Sequence, residues 1–298
     1  MQPQPNPDAP DPGGQQPIGQ SGSTVCVEVK PPPGAAQRLV TYAVCVGRSG
    51  ELKVPTAAHG FETYQFVTVE DLGELAAMCI IVDEQYFTGP EAEVRLADLA
   101  WVAQRAVRHE ELVCEAMGRG PVMPLPFGTL FSTKSVLKQQ LTAHHPAISE
   151  YLERVEGCVE LGLRFCFDRE QATAAVFAQL LIEQPLPTSP GARYLAEKRL
   201  RDHAERLTTD SIAARCTAVV ESLEPSVRAA VERRITASRS ESVETAAQFA
   251  LLVPAVAIES LQPQLEHIAG QVTEWGMTLD VTGPWAPYSF CPSLGAAA

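Results

Sequence analysis

Residues 158–168 read CVELGLRFCFD, and this stretch decides the fold of the second half of the chain. One of its faces carries Val159, Leu161, Leu163, Phe165 and Phe167, and the other carries Cys158, Glu160, Gly162, Arg164 and Cys166. Because successive side chains of a strand point to opposite faces, this alternation predicts a strand that buries one face.

The segments that follow this strand complete a recognisable order of elements. Apolar spacing and turn residues predict a helix at 169–184 and a long charged helix at about 189–223. Two strands follow at 227–238 and 244–254, then a helix at 258–274 and a last strand at 276–283. With the long helix set aside as an insertion, the order β-α-β-β-α-β is that of a ferredoxin-like fold. The expected C-terminal domain covers residues 146–298.

The first half of the chain predicts a separate α+β domain at residues 38–145. Its expected elements are strands at 38–47, 61–69 and 75–83, a helix at 90–117 and an extended segment at 122–131. The expected buried face of that helix carries Leu96, Leu99, Ala103, Ala106, Val107, Val113 and Met117. Residues 1–37 are rich in Pro and Gly, which predicts a disordered tail. The fold class is therefore α+β, with two α/β domains.

Composition excludes several classes of function. The net charge of −13 disfavours nucleic acid and anionic membranes as partners. The chain has no apolar run of about 18 residues that would span a bilayer, and its start lacks the pattern of a signal peptide. The eight cysteines form no CxxC pair, so we expect buried, reduced thiols in a cytoplasmic protein without a metal or cofactor.

Residues that could carry chemistry are few, and no common catalytic or nucleotide-binding motif is present. His109 could act as a general base only beside a nucleophile, so we expect it on the helix surface or at a contact between the domains. Glu160 and Arg164 share a strand face about 13 Å apart. We expect that pair on a solvated face or facing the other domain or a partner, and we predict no catalytic residue.

Four segments in order resemble the GvpL/GvpF family of gas vesicle proteins, from about residue 38 to residue 291. They read HEELVCEAM…VMPLPFGTLF, RVEGCVELGLRFCF, GARYLAEKR and GPWAPYSF. The resemblance implies two α/β domains, of which the second has a ferredoxin-like core. It also implies a non-enzymatic accessory protein of gas vesicle assembly that binds the small hydrophobic shell protein and, as a further partner class, other accessory subunits.

The resemblance marks a set of candidate partner-binding or family-motif residues. They are His109, Phe127, Gly128, Glu160, Arg164, Tyr194, Trp285, Tyr288 and Phe290. Two alternatives to an assembly factor stay open: a minor structural component that the mature gas vesicle retains, and a small-molecule enzyme with a ferredoxin-like cleft. A deep polar pocket enclosing His109, Glu160 and Arg164 would favour the enzyme.

The closing motif GPWAPYSF, residues 283–290, combines two prolines with three large aromatic side chains. Proline fixes its own φ and restricts the preceding residue, so the segment is stiff. We expect it to end the last strand and to bury Trp285 across the second domain. The alternative is that Trp285 or Tyr288 is a hot spot for a partner, since such side chains are enriched there.

Overall fold

Two antiparallel sheets organise the chain, each with helices packed against it. The computed structural model describes residues 38–55, 59–62, 64–235 and 243–294. The predicted tail lies outside these residues. The expected boundary between residues 145 and 146 stays a prediction.

The first sheet is built around a central buried strand. Its strands are β1 (Leu39–Arg48), β2 (Val67–Asp71), β3 (Leu75–Asp83), β4 (Val122–Pro124) and β5 (Leu130–Phe131). The order is β2-β3-β1-β4, and β5 also pairs with β1. The expected strand at 61–69 is wrong over its first half, because the chain turns between the Gly60 N–H and the Gln65 carbonyl, 2.8 Å apart.

The predicted helix at 90–117 is two helices, α1 (Pro90–Ala97) and α2 (Leu99–Met117). Asp98 separates them, and its side chain accepts hydrogen bonds from the first N–H groups of α2. The expected buried face is wrong in part: Val113 is buried, but Leu99 and Val107 are 81% and 59% exposed. The face that packs on the sheet includes His109 and Leu112. The apolar spacing does not predict the buried face correctly, because the segment forms two helices and because His109 is one of the buried residues.

The extended segment at 122–131 is interrupted by a turn. The Thr129 N–H bonds to the Pro126 carbonyl at 3.1 Å, and Gly128 has φ 89°, a backbone conformation that glycine adopts without strain. Two helices follow, α3 (Lys134–Ala143) and α4 (His145–Val155).

The second sheet has the predicted element order. After β6 (Cys158–Asp168) come α5 (Arg169–Glu183), α6 (Pro190–Leu223), β7 (Ala229–Glu232), β8 (Val243–Pro254), α7 (Ile258–Glu274) and β9 (Met277–Trp285). The strand order β7-β8-β6-β9 is antiparallel throughout and is the ferredoxin-like arrangement. The two-sheet α+β fold is thus confirmed. Among the described residues, no helix combines the length and the apolar composition needed to cross a bilayer.

The inserted helix α6 buries a stripe with a spacing of four residues. The stripe includes Leu200, Ala204, Thr208, Ile212 and Cys216. Tyr194 and Leu195, which precede this stripe, are 68% and 56% exposed. The first part of α6 packs on α5 in a small hydrophobic cluster of its own, separate from the main cores.

The cysteines differ strongly in accessibility. Of the seven in the described residues, Cys45, Cys79, Cys158, Cys166 and Cys216 are buried, whereas Cys114 is exposed. Burial raises the pKa of Cys79 and of Cys216 to about 12, which further slows their reaction because the thiolate is the nucleophile.

Thiol labelling of the native chain should therefore proceed in separate phases. We expect Cys114 to react with a maleimide well before the five buried cysteines, which should react only after denaturant is added. Mass spectrometry of peptides after timed quenching measures this order, and a Cys114→Ser variant is the control for the fast phase. Prompt labelling of any buried cysteine without denaturant would contradict the described packing.

Candidate functional site

The first group of motif residues surrounds the buried side chain of Tyr42 on β1. Its hydroxyl lies 2.9 Å from Nδ1 of His109 and accepts a hydrogen bond from the Gly128 N–H at 3.1 Å. The Phe127 ring meets both the Tyr42 ring and the His109 ring edge-on, with centroids 6.1 and 6.0 Å apart. The PFGT turn is thereby fixed against α2.

The structure corrects the predicted place of His109. The side chain is 3% exposed and packs inside the first sheet's core, not at the helix surface. Burial lowers the pKa of His109 to about 4, and the nearby Leu125 backbone opposes this only in part. His109 is therefore neutral at pH 7 and holds the Tyr42 hydroxyl in place.

This buried histidine predicts a loss of stability in mild acid. The unfolded chain binds a proton at His109 below a pKa of about 6.5, whereas the folded chain stays neutral down to about 4. Stability contributed by the neutral state is therefore present above pH 6.5 and falls as the pH drops towards 4. At pH 5 the expected loss from this group is about 2 kcal/mol.

Urea unfolding at pH 7 and pH 5 measures this loss, with a His109→Gln variant as the control. The variant removes the titrating group, so its stability should fall by about 2 kcal/mol less than that of the native chain between the two pH values. An equal fall in both proteins would show that His109 does not carry this part of the pH dependence.

The second group of motif residues lies in the C-terminal segment, which we define as residues 283–291. Glu160, on the non-helical face of β6, is 4% exposed. Its carboxyl group accepts hydrogen bonds from the Ser289 N–H at 2.8 Å and from the Ser289 hydroxyl at 2.7 Å. Glu160 therefore does not lie on a solvated face. It anchors the C-terminal segment to the centre of the second sheet.

Further contacts tie the C-terminal segment to elements of both halves of the chain. From α4, the Tyr151 hydroxyl donates to the Pro287 carbonyl at 2.9 Å and Arg154 donates to the Phe290 carbonyl at 2.6 Å. The Tyr288 hydroxyl donates to Glu110 of α2 at 2.9 Å. The segment thus binds β6, α4 and α2 together.

The aromatic side chains of the C-terminal segment have different surroundings. Phe290 is 6% exposed and belongs to a core that also contains Leu137 and Tyr151. Ala286 is fully buried as well. Trp285 is 45% exposed. The expectation that Trp285 is the buried element of the motif is therefore wrong, because this residue ends the outermost strand of the sheet.

Glycine is required where the C-terminal segment leaves β9. Gly283 has φ 113°, and a Cβ atom at this position would lie 2.7 Å from the Glu160 carbonyl oxygen. The pairing of β6 with β9 shifts register at the same place. Any other residue would push the strand away from Glu160.

Besides Trp285, two candidate residues lie on the surface. The Arg164 guanidinium pairs with the Asp280 carboxylate at 2.7 Å, between opposed positions in the middle of β6 and β9, and both side chains are about half exposed. Tyr194 lies near the start of α6 with two-thirds of its surface exposed. Both could contact a partner without rearrangement of the fold.

His109, Glu160 and Arg164 do not form a common site. Each has a separate partner, namely Tyr42, Ser289 and Asp280. In the described ranges no group of three or more His, Cys, Asp or Glu side chains could hold a metal ion. Sequence reasoning missed Tyr42, Tyr151 and Ser289, since no local pattern links these residues to partners more than 60 positions away.

A cavity of about 360 Å³ lies between the PFGT turn and the end of the described chain. Its walls are mainly apolar and include Met123, Leu125, Leu130, Phe131, Leu141 and Leu294. Gln140 and His144 supply polar groups at its wall. The lining suits an apolar side chain more than a charged small molecule.

Taken together, two antiparallel sheets joined by a C-terminal segment define an α+β protein whose motif residues mainly hold the fold. The chain belongs to the family of gas vesicle synthesis proteins GvpL/GvpF, because the sequence model of that family matches residues 40–292.

Two relatives are similar to this chain along most of its length. Gas vesicle protein L2 of Halobacterium salinarum is 28% identical over 274 residues, which cover 85% of this chain and 91% of that protein. Gas vesicle protein L of a Streptomyces species is 25% identical over 257 residues, which cover 84% and 91%.

Solved structures of gas vesicle proteins have the same fold. The crystal structure of GvpF from Anabaena sp. PCC7120 matches with a TM-score of 0.60 and 14% identity, over 85% of this chain and 98% of that one. GvpF from Microcystis aeruginosa matches with a TM-score of 0.58 and 14% identity, over 85% and 99%. The family match over residues 40–292 gives the chain a role connected with gas vesicles.

Proposed function

We propose that this chain is a non-enzymatic assembly factor that binds the hydrophobic gas vesicle shell protein in the cytoplasm and at the growing vesicle. Family membership over residues 40–292 carries the proposal. Other accessory proteins of the gas vesicle are further partners. Nucleic acid and membranes are not, given the net charge of −13.

The internal contacts of the motif residues support a binding role over catalysis. Nδ1 of His109 contacts the Tyr42 hydroxyl, and Glu160 accepts hydrogen bonds from Ser289. The Tyr288 hydroxyl donates to Glu110. Catalysis needs acid, base or nucleophilic groups directed towards one substrate. Here these groups position the backbone, which leaves the exposed strands and helices to contact a partner.

A binding role also agrees with the physical problem that a hydrophobic shell subunit presents. A subunit with a strongly apolar surface aggregates before it assembles. A partner that covers this surface until assembly prevents aggregation, and a net negative charge keeps the complex dispersed.

Deletion of the gene in a gas vesicle-forming host tests the proposal in cells. We expect cells without the protein to form few or no vesicles, while the shell protein accumulates in the insoluble fraction. Complementation with the native gene should restore vesicles. Normal vesicle number and normal shell-protein solubility in the deletion strain would contradict an assembly role.

A wash of purified vesicles with urea separates a transient factor from a retained component. An assembly factor should be removed or absent after the wash, as judged by immunoblotting for this protein with the shell protein as the reference. Retention at a constant ratio to the shell protein would favour the structural component.

A further inference from the structure

Strand β9 is an edge of the second sheet, and its outer side pairs with no other strand among the described residues. Residues 281–285 are all exposed, five in succession. A strand at a sheet edge presents unpaired N–H and C=O groups that can pair with another polypeptide. Natural proteins normally protect such edges with charges, prolines, bulges or short strands.

The edges at β2 and β7 carry this protection. Strand β2 has five residues, of which Glu70 forms an ion pair with Lys134 and Asp71 is exposed. Strand β7 has four residues and is followed by the exposed charges of Arg233 and Arg234. Both edges therefore disfavour the addition of another strand.

Strand β9 has little such protection over its first six residues. Its nine residues include a single charged side chain, Asp280, which Arg164 neutralises at 2.7 Å. The register shift in the pairing with β6 and Pro284 both come after Thr282, so they protect only the end of the strand from further pairing. Residues 277–282 thus form a short, nearly uncharged backbone template.

We propose that residues 277–282 of β9 are the docking edge for an extended segment of the gas vesicle shell protein; this inference rests on the proposed function. The segment adds a fifth strand to the second sheet through backbone hydrogen bonds, as in other cases of strand addition.

The surroundings of β9 define the chemistry of the segment. On the helix-covered face, Val281 is 42% exposed beside the half-buried Leu279, so the segment places apolar side chains there. On the opposite face, Asp280 and Thr282 favour polar groups. Alternating apolar and polar residues fit this edge.

Charge argues against a second copy of this chain as the occupant. Each copy has a net charge of −13, so two copies repel each other, and antiparallel pairing of β9 with itself would bring two Asp280 side chains near one another. A neutral or basic segment meets no such repulsion.

Hydrogen exchange on the full chain, free and co-purified with the shell protein, tests the strand addition directly. We expect slower exchange in a peptide covering residues 277–282 in the complex, because outward N–H groups gain acceptors. Unchanged exchange there in a complex that forms would overturn the docking edge while leaving the proposed function intact.

A charged substitution provides a second test with a matched control. Val281→Glu should weaken capture of the shell protein about tenfold, whereas Val256→Glu, at a 94% exposed position before α7, should not. Melting temperatures of both variants check folding. Equal capture by both would overturn the proposal, as would a native dimer that Val281→Glu dissociates. No capture by the native chain would instead refute the proposed function.

Discussion

Replacement of Phe290 with alanine is expected to lower the free energy of unfolding by about 3–5 kcal/mol. The ring is 6% exposed and belongs to a core that includes Leu137 and Leu252. Its removal leaves a cavity in a core to which residues of both sheets contribute. Urea unfolding followed by tryptophan fluorescence and by circular dichroism measures the loss.

Trp285→Ala is the matched control for Phe290→Ala. Trp285 lies five residues earlier in the same segment but is 45% exposed, so its removal should cost clearly less than that of Phe290. Circular dichroism is the common probe, since this control changes the fluorescence. Equal losses in the two variants, or a larger loss for Trp285, would contradict the described packing of the segment.

The second large effect is expected for Glu160→Ala, with a loss of about 3 kcal/mol. The substitution removes both acceptors of Ser289 and leaves its partly buried N–H and hydroxyl groups without them. An unsatisfied buried donor costs about 1–3 kcal/mol. Loss of this anchor also frees the C-terminal segment from the centre of β6.

Arg164→Ala on the same strand is the control for Glu160→Ala. Its ion pair with Asp280 is exposed, and such pairs contribute little to stability. Its melting temperature should therefore stay close to the native value. Hydrogen exchange of residues 286–291 provides a second readout, since only Glu160→Ala should accelerate it. A stable Glu160→Ala protein with unchanged exchange would show that Ser289 does not need this anchor.

The sequence predicts the second sheet well because its information is local. Alternation in residues 158–168 and the helical spacing that follows specify each element, and the order of elements then specifies the ferredoxin-like arrangement. The long helix is also predicted, although the exposure of Tyr194 is not. A strand or helix with a clear apolar pattern in its own residues can be predicted without knowledge of contacts distant in sequence.

The predicted burial of a side chain is wrong where tertiary contacts override the local sequence pattern. His109 is buried although histidine counts as polar, because Tyr42, 67 residues earlier, supplies its hydrogen bond. Trp285 is half exposed although large aromatic residues are usually buried, because no strand covers the outer side of β9 in the described residues. Neither environment can be calculated from neighbouring residues.

The candidate residues divide into two groups on structural grounds. Gly128, His109, Glu160 and Phe290 hold the fold through named contacts. Arg164, Tyr194 and Trp285 lie at the surface, where they are available to a partner. A family motif therefore marks structural anchors as well as surface residues, and burial separates them.

Direct capture of the shell protein tests whether this chain binds it. The tagged full chain is co-expressed with the shell protein and purified, with an unrelated protein of similar size and net charge as the control. We expect the shell protein to co-purify with the native chain, to stay in solution and to be absent from the control. Recovery of the shell protein at the control level, from a correctly folded chain, would show that the chain does not bind it.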